Sequence, residues 1–187
     1  MLASLISYTT PIAGVARLER VRRGDTRGYF ERIFCAETLL ACDWHEPIAQ
    51  INHSYTEHVG VVRGMHYQRP PHADAKLVSC VRGEVWDVVL DLRCGSPTFL
   101  HWHGVKLSAE NGRALLIPKG CAHGFQTLSN DAELLYCHTA AYTPESDAGV
   151  SAIDGRFKIE WPLPISIMSD KDRAYPPIAD NFQGVSL

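Results

Sequence analysis

A succession of short, strand-like segments between residues 48 and 142 limits the folds this chain can adopt more than any other feature. The segment KLVSCVRGEVWDVVLDLR, residues 76–93, is rich in β-branched residues, and Gly83 divides it into two candidate strands. The segments LHWHGVKLS, RALLIP and AELLYCHTAAY follow at short intervals, with turns at CGSPT, AENG, PKG and LSND. Many short strands at regular spacing are typical of an antiparallel sandwich or barrel, so the sequence predicts an all-β fold.

Helix signals are sparse outside these segments. The stretch AETLLAC could form about two helical turns, and the proline-rich last part of the chain predicts irregular structure. No linker rich in glycine, serine or proline divides the sequence, and 187 residues suit one hydrophobic core. We therefore expect a single domain, residues 1–187, with irregular N- and C-terminal segments and a few short helices.

Composition argues against several functional classes. The formal net charge of −3 offers no broad cationic surface for a nucleic acid, and no stretch of about 18 apolar residues predicts a membrane-spanning helix. The N-terminal segment lacks a basic region and a sustained apolar run, so we expect no signal peptide and a cytoplasmic protein. The six cysteines contain no CxxC pair, and four lie in apolar or strand-like runs, which predicts buried free thiols.

Two segments resemble the pair of motifs that mark the cupin jelly roll. In GRALLIPKGCAH, residues 112–123, the residues Gly112, Pro118, Gly120 and His123 match the spacing G-x5-P-x-G-x2-H. The two glycines allow turns around a strand that delivers His123 into the barrel. The resemblance implies a cupin jelly-roll β-sandwich or barrel.

The first motif, which in metal-binding cupins supplies an H-x-H pair and a glutamate, is incomplete. His66 stands at the first position, but Gln68 replaces the second histidine and no glutamate follows at the usual interval. His66 and His123 alone would hold a divalent ion weakly. We therefore expect no metal and no cofactor, with a metal-dependent cupin as an alternative.

The strand around His66 carries further polar residues. With a period of two, His66 and Gln68 share one face, and Arg63 lies on the other face unless a bend at Gly64 re-aims it. Lys76 comes from the next strand. On residue type alone, Arg63 and Lys76 could equally be solvated charges and His66 a hydrogen-bonded core histidine.

Over almost its full length the chain resembles the dTDP-4-dehydrorhamnose 3,5-epimerases, the RmlC-like enzymes of deoxysugar biosynthesis. The blocks that carry this resemblance are, in chain order, DTRGYF (25–30), QINHS (50–54), VVRGMHYQ (61–68), KLV (76–78), GEVWDVVLDLR (83–93), SPTF (96–99), LSAEN (107–111), IPKGCAHGF (117–125), LLY (134–136) and SDKD (169–172). The resemblance implies epimerisation of a nucleotide-linked 4-keto-6-deoxy sugar at C3 and C5, in rhamnose-type biosynthesis.

The chemistry of that reaction needs a base, an acid and a fixed positive charge. Hydrogens at C3 and C5 flank the C4 ketone and can leave as protons if the enolate is stabilised. By resemblance His66 is the base, Asp172 holds its imidazole, Lys76 stabilises the enolate oxygen, and Tyr136 is the acid on the opposite ring face. On residue type alone, Tyr136 could instead be a core tyrosine with a bonded hydroxyl.

The resemblance also implies a set of substrate-binding residues and a partner. By family position the binding residues are Arg27, Gln50, Asn52, Arg63, His123 and Lys171. Arginine suits the diphosphate because its planar donors match phosphate oxygens, whereas Gln50 and Asn52 would meet the nucleotide. A homodimer is implied, in which the segment DTRGYF crosses to the neighbouring site.

The chain departs from the family pattern at three points. Arg32 ends the motif D-x-R-G-x-F-x-E, with Glu31 one place early; Asp147 ends Y-x-P-x-x-E; and W-x-D-P is lost at residues 152–155. These changes concern recognition of the nucleotide and the sugar. The further alternatives are an epimerase acting only at C3 and a non-catalytic sugar-nucleotide binding module, which would be expected to lack the base, its carboxylate or the acid.

Overall fold

The structure is a computed structural model, and we describe residues 4–187; residues 1–3, which begin the predicted domain, lie outside the described range. Its strands are β1 Leu5–Thr9, β2 Ala16–Arg20, β3 Arg23–Asp25, β4 Gly28–Phe30, β5 Gln50–Thr56, β6 Val62–Gln68, β7 Lys76–Arg82, β8 Glu84–Asp91, β9 Trp102–Ser108, β10 Arg113–Ile117, β11 Cys121–Thr127, β12 Ala132–His138 and β13 Asp147–Gly149. The α-helices are α1 Ala36–Leu39 and α2 Asp170–Ala174, and the 3-10 turns are Leu40–Cys42 and Pro144–Ser146.

The strands of residues 4–187 form two large antiparallel sheets and one hairpin. The first sheet has the order β1-β2-β10-β7-β12-β5, and the second has the order β13-β6-β11-β8-β9. Strands β3 and β4 pair with each other as the separate hairpin. The prediction of an all-β fold with short helices is therefore confirmed.

The main core lies between the two large sheets. Alternate residues of each strand point inward, so the first sheet contributes Val78, Leu115 and Leu134 and the second contributes Val89 and Phe125. These side chains are buried and pack as one cluster. The alternate apolar residues seen in the sequence are therefore the side chains that fill this interior.

The outer faces of the sheets are also covered, which explains why several strands are apolar on both faces. The irregular C-terminal part packs Val150, Phe157 and Met168 over Val88 and Leu90 of β8. On the first sheet, Leu39 and Trp44 pack over Leu77, Leu116 and Cys137. A strand buried on both faces reads as a continuous apolar run, as in residues 88–90.

The strand break at Gly83 and the burial of the cysteines were also predicted from the sequence. Gly83 separates β7 from β8 with φ +67°, a left-handed conformation that glycine adopts readily, so the predicted break is confirmed. All six cysteines are free, but only Cys80, Cys121 and Cys137 are buried. The sequence predicted four buried thiols, which was wrong, because the structure has three.

None of the helices among residues 4–187 is long and apolar enough to span a bilayer.

Candidate active site

A cavity of about 570 Å³ lies between the two sheets and is lined by β5, β7 and β12 on one side and by β6 and β11 on the other. Phe125, Tyr67 and Tyr142 give it apolar surface. Eight of the ten residues that the sequence singled out line it, namely Gln50, Asn52, Arg63, His66, Lys76, His123, Tyr136 and Lys171. The volume is that of a site for a small organic ligand.

His66 is held by a carboxylate from the far end of the chain. Its Nε2 lies 2.6 Å from Oδ1 of Asp172, the buried carboxylate of α2. The other oxygen of Asp172 accepts a hydrogen bond from the backbone N–H of Gly64 at 3.3 Å. A carboxylate can only accept here, so Nε2 of His66 carries a hydrogen, and in the neutral imidazole Nδ1 keeps the lone pair.

The environment of Asp172 keeps it ionised. Burial raises the pKa of its carboxyl group, but the hydrogen bond and charge of His66 and the bond from Gly64 lower it more, so that the pKa lies below its ordinary value. Ser169 caps α2 by accepting from the backbone N–H of Asp172 at 3.0 Å, which fixes where the carboxylate stands. The predicted pairing of His66 with Asp172 is therefore present in the geometry.

The bend considered at Gly64 is present and brings Arg63 to the cavity. In the pairing of β6 with β11, His66 stands opposite His123 and Arg63 opposite Phe125, with a register shift between them. Gly64 has φ +132°, and a Cβ there would lie 2.5 Å from the Cα of Gly124. Only glycine fits this irregular position, and the shift re-aims Arg63 onto the same face as His66.

Tyr136 lies on the wall opposite His66. It belongs to β12 in the first sheet, whereas His66 belongs to β6 in the second. Its hydroxyl lies 3.1 Å from Oγ of Ser54, and its ring meets that of His123 edge to face. Burial raises the pKa of the Tyr136 phenol, so the hydroxyl keeps its proton at neutral pH.

Lys76 and His123 each have a carboxylate partner that the sequence analysis missed. Nζ of Lys76 lies 3.3 Å from Asp74, and Nε2 of His123 lies 2.8 Å from the fully buried Asp87. Burial raises the pKa of the Asp87 carboxyl. His138 also lines the cavity and bonds to Asp74 at 2.7 Å. The sequence could have indicated Asp87 and His138, because both occupy the alternate positions that core residues of their strands also occupy, and therefore face the interior.

The amide residues lie on β5 at the open wall of the cavity. Nε2 of Gln50 donates to Oδ1 of Asn52 at 2.9 Å, and Oε1 of Gln50 accepts from the backbone N–H of Tyr142. Nδ2 of Asn52 lies 3.5 Å from Nε2 of His138. Asn52 is exposed and Gln50 is partly exposed, which leaves both able to exchange these contacts for a ligand.

The cationic residues differ in their surroundings. Arg63 donates to the backbone oxygen of Tyr55 at 3.1 Å, and Lys171 pairs with Asp147. That hydrogen bond raises the pKa of Lys171. Arg27 lies on the β3–β4 hairpin, pairs with Asp25 and is 87% exposed. The structure does not bring Arg27 to the cavity of its own chain.

Gln68 stands where a metal-binding cupin has its second histidine, and its amide is fully engaged in holding loops. Its Nε2 donates to the backbone oxygens of His72 and Ala141, and its Oε1 accepts from the backbone N–H of Thr143. Among residues 4–187, no three histidine, cysteine, aspartate or glutamate side chains converge as a metal site. The side chains of this cavity therefore offer proton transfer and hydrogen bonding.

Comparison with known proteins agrees with this geometry. The family model for dTDP-4-dehydrorhamnose 3,5-epimerase matches residues 9–180. A dTDP-4-dehydrorhamnose 3,5-epimerase of Sinorhizobium fredii is 39% identical over 180 residues, which cover 94% of this chain and 92% of the relative.

Solved structures of similar proteins have the same fold. The crystal structure of dTDP-4-dehydrorhamnose 3,5-epimerase from Bacillus anthracis, with TDP and PPi bound, has a TM-score of 0.89 at 38% identity, covering 93% of this chain and 99% of that one. The dTDP-6-deoxy-D-glucose-3,5-epimerase from Legionella pneumophila, in complex with dTDP-4-keto-L-rhamnose, has a TM-score of 0.88 at 40% identity and covers 92% of each chain. The predicted cupin jelly roll is confirmed by these similarities.

Proposed function

The chain belongs to the dTDP-4-dehydrorhamnose 3,5-epimerase family of sugar-nucleotide isomerases, and we propose that it inverts C3 and C5 of dTDP-4-dehydro-6-deoxy-D-glucose by proton abstraction and return. The observation that carries this proposal is the opposition of two proton-transfer groups across one cavity. His66 stands on the second sheet with its carboxylate partner, and Tyr136 stands on the first. Inversion of a carbon requires removal of a proton from one face and delivery to the other.

The first half-step uses the lone pair of His66. Nδ1 takes the hydrogen from C3 or C5 as a proton, the C–H electrons form a C=C bond to C4, and the ketone oxygen becomes an enolate oxygen. The imidazolium that forms is stabilised by the ionised Asp172 at 2.6 Å. The buried ammonium of Lys76 supplies positive charge for the enolate oxygen.

The second half-step uses the phenol of Tyr136. Its O–H gives a proton to the opposite face of the carbon, the C4 ketone forms again, and the phenolate is left. Return of the imidazolium proton to the phenolate through solvent restores the resting protonation states. The raised pKa of Tyr136 favours the protonated phenol, which is the form that this step needs.

The diphosphate and the nucleotide would bind through the remaining lining residues. Arg63 donates to the backbone oxygen of Tyr55 and can exchange that bond for phosphate. Gln50 and Asn52 on β5 would meet the nucleotide, and His123 would contact the sugar. Lys171 is tied to Asp147, so it would reach an anion only by leaving that carboxylate.

The same proposal includes a homodimer. Arg27 can serve as a binding residue only from a neighbouring chain, because it lies on an exposed hairpin away from its own cavity. Phe30 on that hairpin is 70% exposed, and Tyr29 is also exposed. Large exposed aromatic side chains favour burial against a second copy.

The domain organisation and compartment are also proposals. The two sheets share one core, which supports a single domain over residues 1–187. Free buried thiols at Cys80, Cys121 and Cys137 fit a reducing compartment such as the cytoplasm.

The test is incubation of the protein with dTDP-4-dehydro-6-deoxy-D-glucose in D2O. We expect NMR to find deuterium at both C3 and C5 and the doubly inverted product. Deuterium at C3 alone would indicate an epimerase restricted to that centre. Absence of deuterium at both centres, in protein shown to be folded, would refute the proposed reaction and favour a binding module.

A further inference from the structure

The carboxylate of Asp74 forms hydrogen bonds with two side chains that line the cavity, His138 and Lys76. It precedes β7, and its Oδ2 lies 2.7 Å from Nδ1 of His138 while its Oδ1 lies 3.3 Å from Nζ of Lys76. His138 and Lys76 are direct cross-strand partners in the register of β12 with β7. One carboxylate therefore connects the last residue of β12 with the first residue of β7.

The burial of this cluster requires that each group be paired. Asp74 is 4% exposed and Lys76 is 8% exposed. Burial raises the pKa of the Asp74 carboxyl, but the hydrogen bond from His138 and the charge of Lys76 lower it more, so the pKa lies below its ordinary value. Removing the charge of Asp74 would leave the Lys76 ammonium buried without its partner.

The second nitrogen of His138 is left toward the cavity. Its Nδ1 is engaged by Asp74, and its Nε2 has Nδ2 of Asn52 at 3.5 Å, a long contact. The ring stacks on that of Tyr136, with centroids 6.0 Å apart and planes 21° apart. The imidazole is therefore held by Asp74 and by Tyr136, whereas its Nε2 has one long, weak hydrogen-bond contact.

The position of His138 in the sheet indicates what it would touch. Across β5, β12 and β7, one row of partners reads Gln50, His138, Lys76. The proposed function assigns Gln50 to the nucleotide and Lys76 to the C4 ketone. In the hexose, the hydroxyl-bearing carbons C2 and C3 lie between the phosphate-bearing C1 and C4. His138 lies between Gln50 and Lys76, so it would face these hydroxyl-bearing carbons.

We propose that Asp74 is a positioning residue that orients the ammonium of Lys76 and the imidazole of His138, and that His138 is a further substrate-contacting residue whose Nε2 accepts a hydrogen bond from a hexose hydroxyl. This inference rests on the proposed function, because that function supplies the ligand. The acceptor character follows from the bonding of Nδ1: a neutral imidazole that donates from Nδ1 accepts at Nε2.

The kinetic test compares Asp74→Asn, His138→Gln and the double variant with wild type. Loss of one substrate hydrogen bond in His138→Gln should raise KM about three- to tenfold with kcat changed less than about threefold. Asp74→Asn should lower kcat about tenfold or more, since the lysine that stabilises the enolate loses its orientation. The double variant should have the KM of Asp74→Asn, because His138 already lacks its support there.

A matched control is available at a second histidine–aspartate pair. His45 bonds to Asp43 at 2.9 Å and is exposed outside the cavity, so His45→Gln should keep the wild-type kcat and KM. Wild-type kcat and KM in folded Asp74→Asn and His138→Gln would overturn the inference. A lower Tm with unchanged kinetics would also overturn it, because the pair would then only stabilise the fold.

A second measurement needs neither variant to fold. Long-range 1H–15N NMR of the wild-type protein should report a proton on Nδ1 of His138, and addition of dTDP-glucose, which carries the hexose hydroxyls, should shift its Nε2 resonance. An unshifted Nε2 resonance at saturating dTDP-glucose would refute the contact. Failure of the proposed function is distinguishable, since it would abolish deuterium exchange in the wild-type protein itself.

Discussion

His66 and Tyr136 face one cavity from opposite sheets, His66 from β6 and Tyr136 from β12. A sugar ring bound between them would present one face to an imidazole and the other to a phenol. In the proposed reaction the two groups serve different half-steps of inversion, so their removal should have different consequences.

His66→Ala should abolish deuterium exchange at every centre, because no enolate forms at an appreciable rate without the base. Tyr136→Phe should retain exchange while losing inversion, because the enolate can recapture a proton on the face it left. The measurement is NMR of the sugar after incubation in D2O, with circular dichroism of each variant as the control for folding. Normal exchange in His66→Ala would mean that another residue is the base.

Asp172→Asn should behave as a partial loss of His66. The amide leaves the imidazole present but removes the charge that stabilises the imidazolium and the acceptor that sets its tautomer. By comparison with catalytic dyads of this type, kcat should fall about 10²- to 10⁴-fold with a smaller change in KM. Steady-state kinetics measures this, and a wild-type kcat in the variant would show that Asp172 has no part in proton abstraction.

Exhaustive chelation should leave activity unchanged. The expectation rests on Gln68 at the second histidine position and on its amide being used by the backbone of three loop residues. Activity before and after dialysis against a strong chelator, together with metal analysis of the purified protein, decides the matter. Stoichiometric iron, zinc or manganese whose removal abolishes activity would contradict the prediction.

Mixing two impaired variants should restore activity if Arg27 serves a neighbouring site. His66→Ala lacks the base, and Arg27→Ala lacks a binding cation, so we expect each homodimer to be impaired. A mixed dimer would contain one site with both His66 and Arg27 intact. Activity should rise after subunit exchange well above the sum of the two separate proteins. No gain in demonstrably mixed dimers would mean that Arg27 does not act across the interface.

Asp91→Asn should destabilise the fold in a pH-dependent manner. Burial raises the pKa of Asp91, but hydrogen bonds from Arg93, Ser96 and Thr98 lower it more, to about 2. Its folded pKa is thus below its unfolded value, so the stabilisation is present above pH 4 and is lost as the pH falls toward 2. The variant should lose about 2 kcal/mol of unfolding free energy at pH 7, and less at pH 3.

Urea unfolding at the two pH values measures that difference. Glu46→Gln is a suitable control, since Glu46 pairs with Lys119 on the surface and its loss should change stability by less than about 1 kcal/mol. An equal cost of Asp91→Asn at pH 7 and pH 3 would indicate that shape, and not ionisation, accounts for its effect.

Much of the molecule could be predicted from local sequence. Period-two patterns and turn residues determined strands between residues 48 and 142 and the break at Gly83, because side-chain parity in a strand depends only on position along it. Strands β1–β4 were not predicted, because they lie in the N-terminal segment that the sequence analysis expected to be irregular. The blocks of residues shared with the family singled out His66, Lys76, Tyr136 and Asp172. Their roles were implied by that resemblance.

Only the tertiary structure decided which of these side chains meet and which partners they have. Asp74 with His138, and Asp87 with His123, are pairs made across strands and turns 64 and 36 residues apart in sequence. The register shift opposite Gly64 turned Arg63 toward His66, against the simple alternation of the strand. Such contacts depend on the register between strands, which is set by packing of the whole sheet and leaves no periodic signal in any one segment.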